Sequence, residues 1–128
     1  MAIKDIDHVG ILVGDPAPAE EFYVGLLGFE VESDETIPPM GMRVVMLKKG
    51  RDRVELIQRL APDPKASPGL KHLAFSSDDL EGDLRSLAQR GAKLLHQEVR
   101  RHGPVSFFFL RSPSGELVEL IQRPEEPS

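Results

Sequence analysis

Apolar and polar positions along this 128-residue chain follow one pattern that is written twice. Residues 6–13 are apolar on both alternating faces except at Asp7 and His8, which predicts a strand central in a sheet. Gly14 ends it. Asp15 has the chemistry of an N-cap and Pro16 that of a first helical residue. Ala19, Phe22, Tyr23, Leu26 and Leu27 then recur at helical spacing as far as Gly28. Residues 29–32 predict a short strand, and residues 33–41, with Pro38, Pro39 and Gly41, predict a loop. Residues 42–47 and 53–58 predict a hairpin around a turn at 48–52.

Pro62, Pro64 and Pro68 mark residues 60–69 as a linker. The same order then returns. Residues 70–76 predict a strand, Asp78 and Asp79 a cap, and Leu80, Leu84, Leu87 and Ala88 a helix that stops at Gly91. Strands are predicted at 93–99, 105–110 and 117–122, with a loop at 100–104, a turn at 112–115 and a solvated tail at 123–128. Phe107, Phe108 and Phe109 are consecutive, so they cannot all point to one side of a strand. Both halves read βαβββ. Two copies are too few for a solenoid or propeller. The expectation is an α+β fold, one domain over residues 1–128. Module one (about 4–59) and module two (about 70–123) form a curved mixed sheet around a metal-containing cleft.

The repeat is literal at one place. Val54-Glu55-Leu56-Ile57-Gln58-Arg59 returns as Val118-Glu119-Leu120-Ile121-Gln122-Arg123, an offset of 64. His8 and His72 are also 64 apart, so each histidine precedes its glutamate by 47 positions. A carboxylate inside an apolar strand is costly unless it is paired or bound to a metal. A core histidine or an outward-facing glutamate would account for any one of these residues. Drift after a duplication would not keep all four. Two imidazoles and two carboxylates suit a divalent ion such as Ni²⁺, Co²⁺, Zn²⁺, Fe²⁺ or Mn²⁺. His8, Glu55, His72 and Glu119 are therefore the expected metal ligands. Four donors leave one or two positions for substrate oxygens or water.

Composition narrows the classes. With no cysteine, disulfides, thiolate metal sites and a cysteine nucleophile are excluded. A net charge of −5 without a dense basic run argues against a nucleic-acid partner. No segment is apolar enough to span a bilayer and the start has no signal-peptide pattern, so a soluble cytoplasmic protein is expected. Arg43, Lys48, Lys49, Arg51, Arg53, Arg100 and Arg101 are either anion contacts or a solvated rim. His96 and His102 are either proton shuttles or surface residues. Phe22 and Tyr23 read as core or interface.

Four stretches carry a family resemblance: Asp7-His8-Val9-Gly10-Ile11; Phe22-Tyr23 with Leu27-Gly28-Phe29; His72-Leu73-Ala74-Phe75; and Pro113 and Gly115 with Val118-Glu119-Leu120. Over nearly the whole chain the sequence resembles the vicinal oxygen chelate superfamily, which comprises glyoxalases, bleomycin-resistance proteins and dioxygenases. The resemblance implies a metal held by a His, Glu, His, Glu set, which falls on His8, Glu55, His72 and Glu119. It also implies a substrate that chelates the metal through two neighbouring oxygens, and a homodimer. Val44-Val45-Met46-Leu47, Gly50, Val54-Glu55-Leu56, Leu60-Ala61, Asp63 and Arg101-His102-Gly103 resemble the methylmalonyl-CoA epimerase subfamily. The implied enzyme is a metal-dependent lyase or isomerase that enolises a carbonyl substrate, an acyl-CoA or a glutathione adduct, with Glu119 or Glu55 moving the proton. The alternatives are a glyoxalase I-like lactoylglutathione lyase, a drug-sequestering resistance protein, a ring-cleaving dioxygenase and a fosfomycin-modifying transferase. The chain departs from two subfamily patterns. Pro39 stands where the epimerase has a loop glutamate base, and Leu12 stands where glyoxalase I has an arginine that grips glutathione.

Overall fold

The computed structural model describes residues 2–61, 63–113 and 116–124. The predicted linker proline Pro62, the Ser114-Gly115 part of the predicted turn and residues 125–128 of the tail lie outside the described residues. The fold is α+β and divides into two compact units. Module one is His8–Lys71; module two comprises the residues up to Asp7 and those from His72 onward.

Module one contains most of strand β1 (Ile3–Leu12), helix α1 (Pro16–Glu20) with a wider turn over Glu21–Leu26, β2 (Glu30–Ile37), a 3₁₀ turn (Pro38–Met40), β3 (Met42–Lys49) and β4 (Asp52–Arg59). Asp15 caps α1, its Oδ1 accepting from the Ala17 N–H, and Pro16 follows as expected. The wide turn carries a π-type bond, Leu27 N–H to the Phe22 carbonyl at 3.1 Å. Tyr23 sits against Phe29 in the core while Phe22 stays half-exposed. Strand order is β2-β3-β4-β1, with β1 parallel to β4 and the other pairs antiparallel. Alternate residues Val45, Leu47 and Leu56 are fully buried under Ile11, Val13, Ala19 and Tyr23.

The expected loop over 33–41 is corrected here. Strand β2 continues to Ile37, and only Pro38–Met40 turns. Its residues Glu32, Asp34 and Glu35 have no apolar alternation, because β2 is an edge strand and lies largely exposed. Its charges are answered from β3 and β4. Arg43 grips Asp34 with two bonds of 2.9 and 2.7 Å, and Arg53 grips Glu32 with 2.9 and 3.1 Å.

Module two contains most of β5 (Gly69–Ser77), then α2 (Leu80–Gln89), β6 (Lys93–Leu94), β7 (Arg100–His102), β8 (Val105–Arg111) and β9 (Leu117–Gln122). The strands run β5-β9-β8-β6, and β7 also pairs with β8. Leu80 and Leu84 of α2 close over Phe108 and Leu120, with Ile3, Phe75 and Leu87 around them. The single strand expected at 93–99 is two fragments, one of which lies in the expected loop at 100–104. Apolar Leu94, Leu95 and Val99 bracket polar residues 96–98, so two short pairings with β8 look like one run in the sequence.

Residues 4–7, expected with the first half, cluster instead with module two. The reason is polar. The Ala2 N–H donates to buried Asp83 (3.2 Å), and the Asp5 N–H donates to Ser76 Oγ (3.2 Å). Buried Asp7 takes two bonds of 3.0 Å from Arg123.

The repeat survives at the level of register. In β1–β4, Gly10, Ile11 and Leu12 stand opposite Glu55, Leu56 and Ile57. In β5–β9, Ala74, Phe75 and Ser76 stand opposite Glu119, Leu120 and Ile121. Every pair is shifted by 64. The repeated glutamine has one job in both copies: Gln58 donates to the Gly14 carbonyl (2.9 Å) and Gln122 to the Asp78 carbonyl (3.3 Å). Each ties the last strand of its module to the turn before the helix. The arginines differ, since Arg123 holds Asp7 while Arg59 is exposed. Two outcomes follow. Leu56→Ala and Leu120→Ala each lower unfolding free energy by about 2–5 kcal/mol, read as a lower urea midpoint. Arg123→Met costs about 1–3 kcal/mol through the lost charge-assisted bonds and raises hydrogen exchange at the amides of residues 3–7.

Candidate functional site

Strand geometry places the predicted residues in pairs. In module one, Gly10 is the cross-strand neighbour of Glu55, and His8 lies two residues earlier on the same face of β1. In module two, Ala74 is the neighbour of Glu119, and His72 lies two residues before it. A glycine and an alanine leave room beside each carboxylate. The result is His8 Nε2 at 3.6 Å from Glu55 Oε2, and His72 Nε2 at 3.5 Å from Glu119 Oε1. Both pairs are well covered: the side chains are 1% and 16% exposed in the first and 6% and 9% in the second.

These separations exceed the roughly 2.7–2.9 Å of a charge-assisted hydrogen bond. Two donors each about 2.1 Å from one ion at a tetrahedral angle stand roughly 3.4 Å apart. Each pair therefore has the spacing of two ligands on one divalent ion, and its nitrogen and oxygen donors suit the borderline metals expected from the sequence. The residues fit the group.

What surrounds each pair was only partly legible. Phe109 stands opposite Glu119 in the β8–β9 register. Its ring meets the His72 ring edge-on at 5.8 Å and the Phe107 ring at 5.8 Å. Phe108, between them, points to the other face and is fully buried against α2. The three aromatics thus split between faces, as alternation requires. Alternation leads one to expect some of the three to meet the helices and some the cleft or a second subunit, and the register with β9 puts Phe107 and Phe109 on the side of the ligand pair. The available signal was their two-residue spacing on the strand before Glu119. In module one the residue opposite Glu55 is Met46, which is buried.

Among the other candidates, Arg43, Arg53 and Lys48 are engaged by Asp34 and Glu32, and Lys49 Nζ donates to the Leu27 carbonyl. These four cations belong to a paired hairpin rim. Arg51, Arg100 and Arg101 are exposed. His102 is exposed on β7. Leu12 is buried and Pro39 lies in the 3₁₀ turn, so neither offers a charged group. His96 packs against the Phe109 ring at 6.0 Å. Burial first, and the Arg100 charge second, push its imidazole below the ordinary histidine range. Protonation therefore favours the unfolded chain, and this group's contribution to stability is present above the unfolded imidazole pKa and is lost as pH falls. Replacing Arg100 by methionine moves the His96 titration part of the way up, measured by NMR, and His96→Gln removes its share of the acid-side loss in thermal midpoint.

The Glyoxalase/Bleomycin resistance protein/Dioxygenase superfamily profile matches residues 7–109, a span that holds His8, Glu55 and His72 and stops short of Glu119. Human mitochondrial methylmalonyl-CoA epimerase is 30% identical over 91% of this chain and 73% of that protein. A structure of Streptomyces coelicolor methylmalonyl-CoA epimerase in complex with 2-nitronate-propionyl-CoA superposes with a TM-score of 0.85 at 30% identity, over 98% of this chain and 99% of that one. A probable lactoylglutathione lyase of Synechocystis is 24% identical over 90% of this chain and 92% of its own length. Among the described residues no helix is long and apolar enough to cross a membrane. The chain belongs to the Glyoxalase/Bleomycin resistance protein/Dioxygenase superfamily.

Proposed function

We propose that this protein is a metal-dependent isomerase or lyase that moves a proton next to a carbonyl, with a methylmalonyl-CoA epimerase-like reaction as the leading assignment. In this reading His8, Glu55, His72 and Glu119 jointly hold one divalent ion, the chain acts as a single domain, and it works as a homodimer. The observation that carries the reading is the duplicated pair. Two repeat-equivalent His–Glu couples, each well covered and each at ligand spacing, serve no packing need that apolar residues would not meet better. The similarity to epimerases, one of them in complex with an acyl-CoA analogue, supports an acyl-CoA substrate.

When bound, a divalent ion supplies Lewis-acid polarisation of a carbonyl oxygen, which acidifies the neighbouring C–H. The chain supplies the rest. His8 and His72 turn Nε2 toward their glutamates and would hold the ion through it, and their near-complete burial fixes the ring orientations. The carboxylates of Glu55 and Glu119 are the groups able to take the proton and return it. Glu119 is the better covered of the two. Pro39 removes a loop base from consideration, so the proton work falls to these glutamates. A glyoxalase I-like reaction is the second reading, favoured by the similarity to a probable lactoylglutathione lyase. Leu12 offers no cation for a glutathione carboxylate, which places that reading behind the first.

The test is metal analysis followed by proton exchange in D₂O, read by NMR, with methylmalonyl-CoA and the methylglyoxal–glutathione hemithioacetal offered in parallel. The expected result is one divalent ion per chain and exchange of the first substrate. Glu119→Gln lowers exchange about 10²-fold or more, and His8→Ala and His72→Ala lose the ion. Turnover of the hemithioacetal alone selects the second reading. A protein that takes up no Ni²⁺, Co²⁺ or Zn²⁺ rules out both.

A further inference from the structure

The face of module two that carries His72 and Glu119 also carries two aromatic rings that the core does not use. Phe109 is directly opposite Glu119, and Phe107 is directly opposite Ile121, so both project to the ligand side of β8. Phe108 alone serves the hydrophobic core. Phe107 and Phe109 are only half-buried, although a phenylalanine gains most from full cover. Their rings meet edge to face at 77°, and Phe109 meets His72 at 85°, so the three rings brace one another. The matching position of module one holds buried Met46, so the aromatic face is particular to one copy of the repeat. By register Arg100 stands opposite Phe107 on the β7 side of β8, the strand edge away from Glu119.

Resting on the reading above, we propose that Phe107 and Phe109 form an apolar wall beside the His72–Glu119 pair that selects substrates by the group attached to their chelating oxygens. Next to the two oxygens the wall favours an apolar group in proportion to the face it lays on the rings, an aryl group over a methyl. It disfavours a carboxylate or other strongly hydrated anion there, because such a group loses water against the electron-rich ring faces without gaining a partner. Discrimination of this kind is modest for each contact, since a ring contact contributes about 0.5–1.5 kcal/mol beyond its area, or about threefold to tenfold in affinity.

The experiment uses the full chain loaded with Co²⁺ and two chelating probes with the same two-oxygen head, acetohydroxamate and benzohydroxamate. Binding is measured by calorimetry, and the cobalt absorption bands confirm that each probe reaches the ion. The wild type is expected to prefer benzohydroxamate by about threefold to tenfold. Phe107→Ala, at a ring that meets Phe109 rather than His72, and Phe109→Leu, which keeps an apolar side chain beside His72, both reduce that preference toward one while acetohydroxamate still shifts the cobalt bands. Equal binding of the two probes by the wild type overturns the wall and leaves the metal reading standing, as does a preference that survives in both variants. If cobalt loads and neither probe shifts its spectrum, two-oxygen chelation itself is wrong and the wall falls with it.

Discussion

In each module, everything near the site depends on one parallel pairing, first strand against last. That pairing sets which residue lies opposite each glutamate, Gly10 for Glu55 and Ala74 for Glu119. With the register set, strand alternation brings a histidine two residues earlier onto the same face. A slip by one residue would send the glutamates into the Leu56 and Leu120 cores and the leucines out. Desolvating a misplaced carboxylate would then cost more than any single contact recovers. The core and the ligand pair therefore enforce the same register from opposite faces of one sheet.

The polar bonds at the ends of these strands hold the register where packing does not. Gln58 and Gln122 anchor the last strands to the turns before α1 and α2. Asp15 and Asp79, again 64 apart, cap the helices that follow. Module two adds a device that module one lacks. Arg123, Ser76 and Asp83 all hold the beginning of β1, and Asp7, the residue before His8, is gripped by two guanidinium bonds. The strand bearing the first histidine thus starts in one compact unit and continues in the other.

Legibility followed the physics of burial. The helices and central strands were readable because their apolar residues alternate or recur, and Val45, Leu56, Leu84 and Leu120 lie where that pattern puts them. The Glu30–Ile37 strand was not readable beyond its first residues. An edge strand needs no apolar alternation, and its charges find partners only on neighbouring strands. The run at 93–99 failed for the opposite reason, since apolar residues at its ends imitate one strand where two fragments pair separately with β8. The cations around the 48–52 turn offered two readings, and geometry chose between them by supplying Glu32 and Asp34.

By itself, the sequence determined the duplication, the α+β order of elements and the pairing of each histidine with the glutamate 47 residues on. Each of these is a matter of spacing, and spacing along the chain is preserved in the fold as register. Only the tertiary structure decided which side chains meet across strands: that Arg123 reaches back to Asp7, that Arg43 and Arg53 are spent on an edge strand, and that Phe109 rather than Phe108 stands beside His72. Such contacts join residues far apart in the chain, and no local propensity encodes them. They follow from strand order, which is settled when the whole of each module is packed.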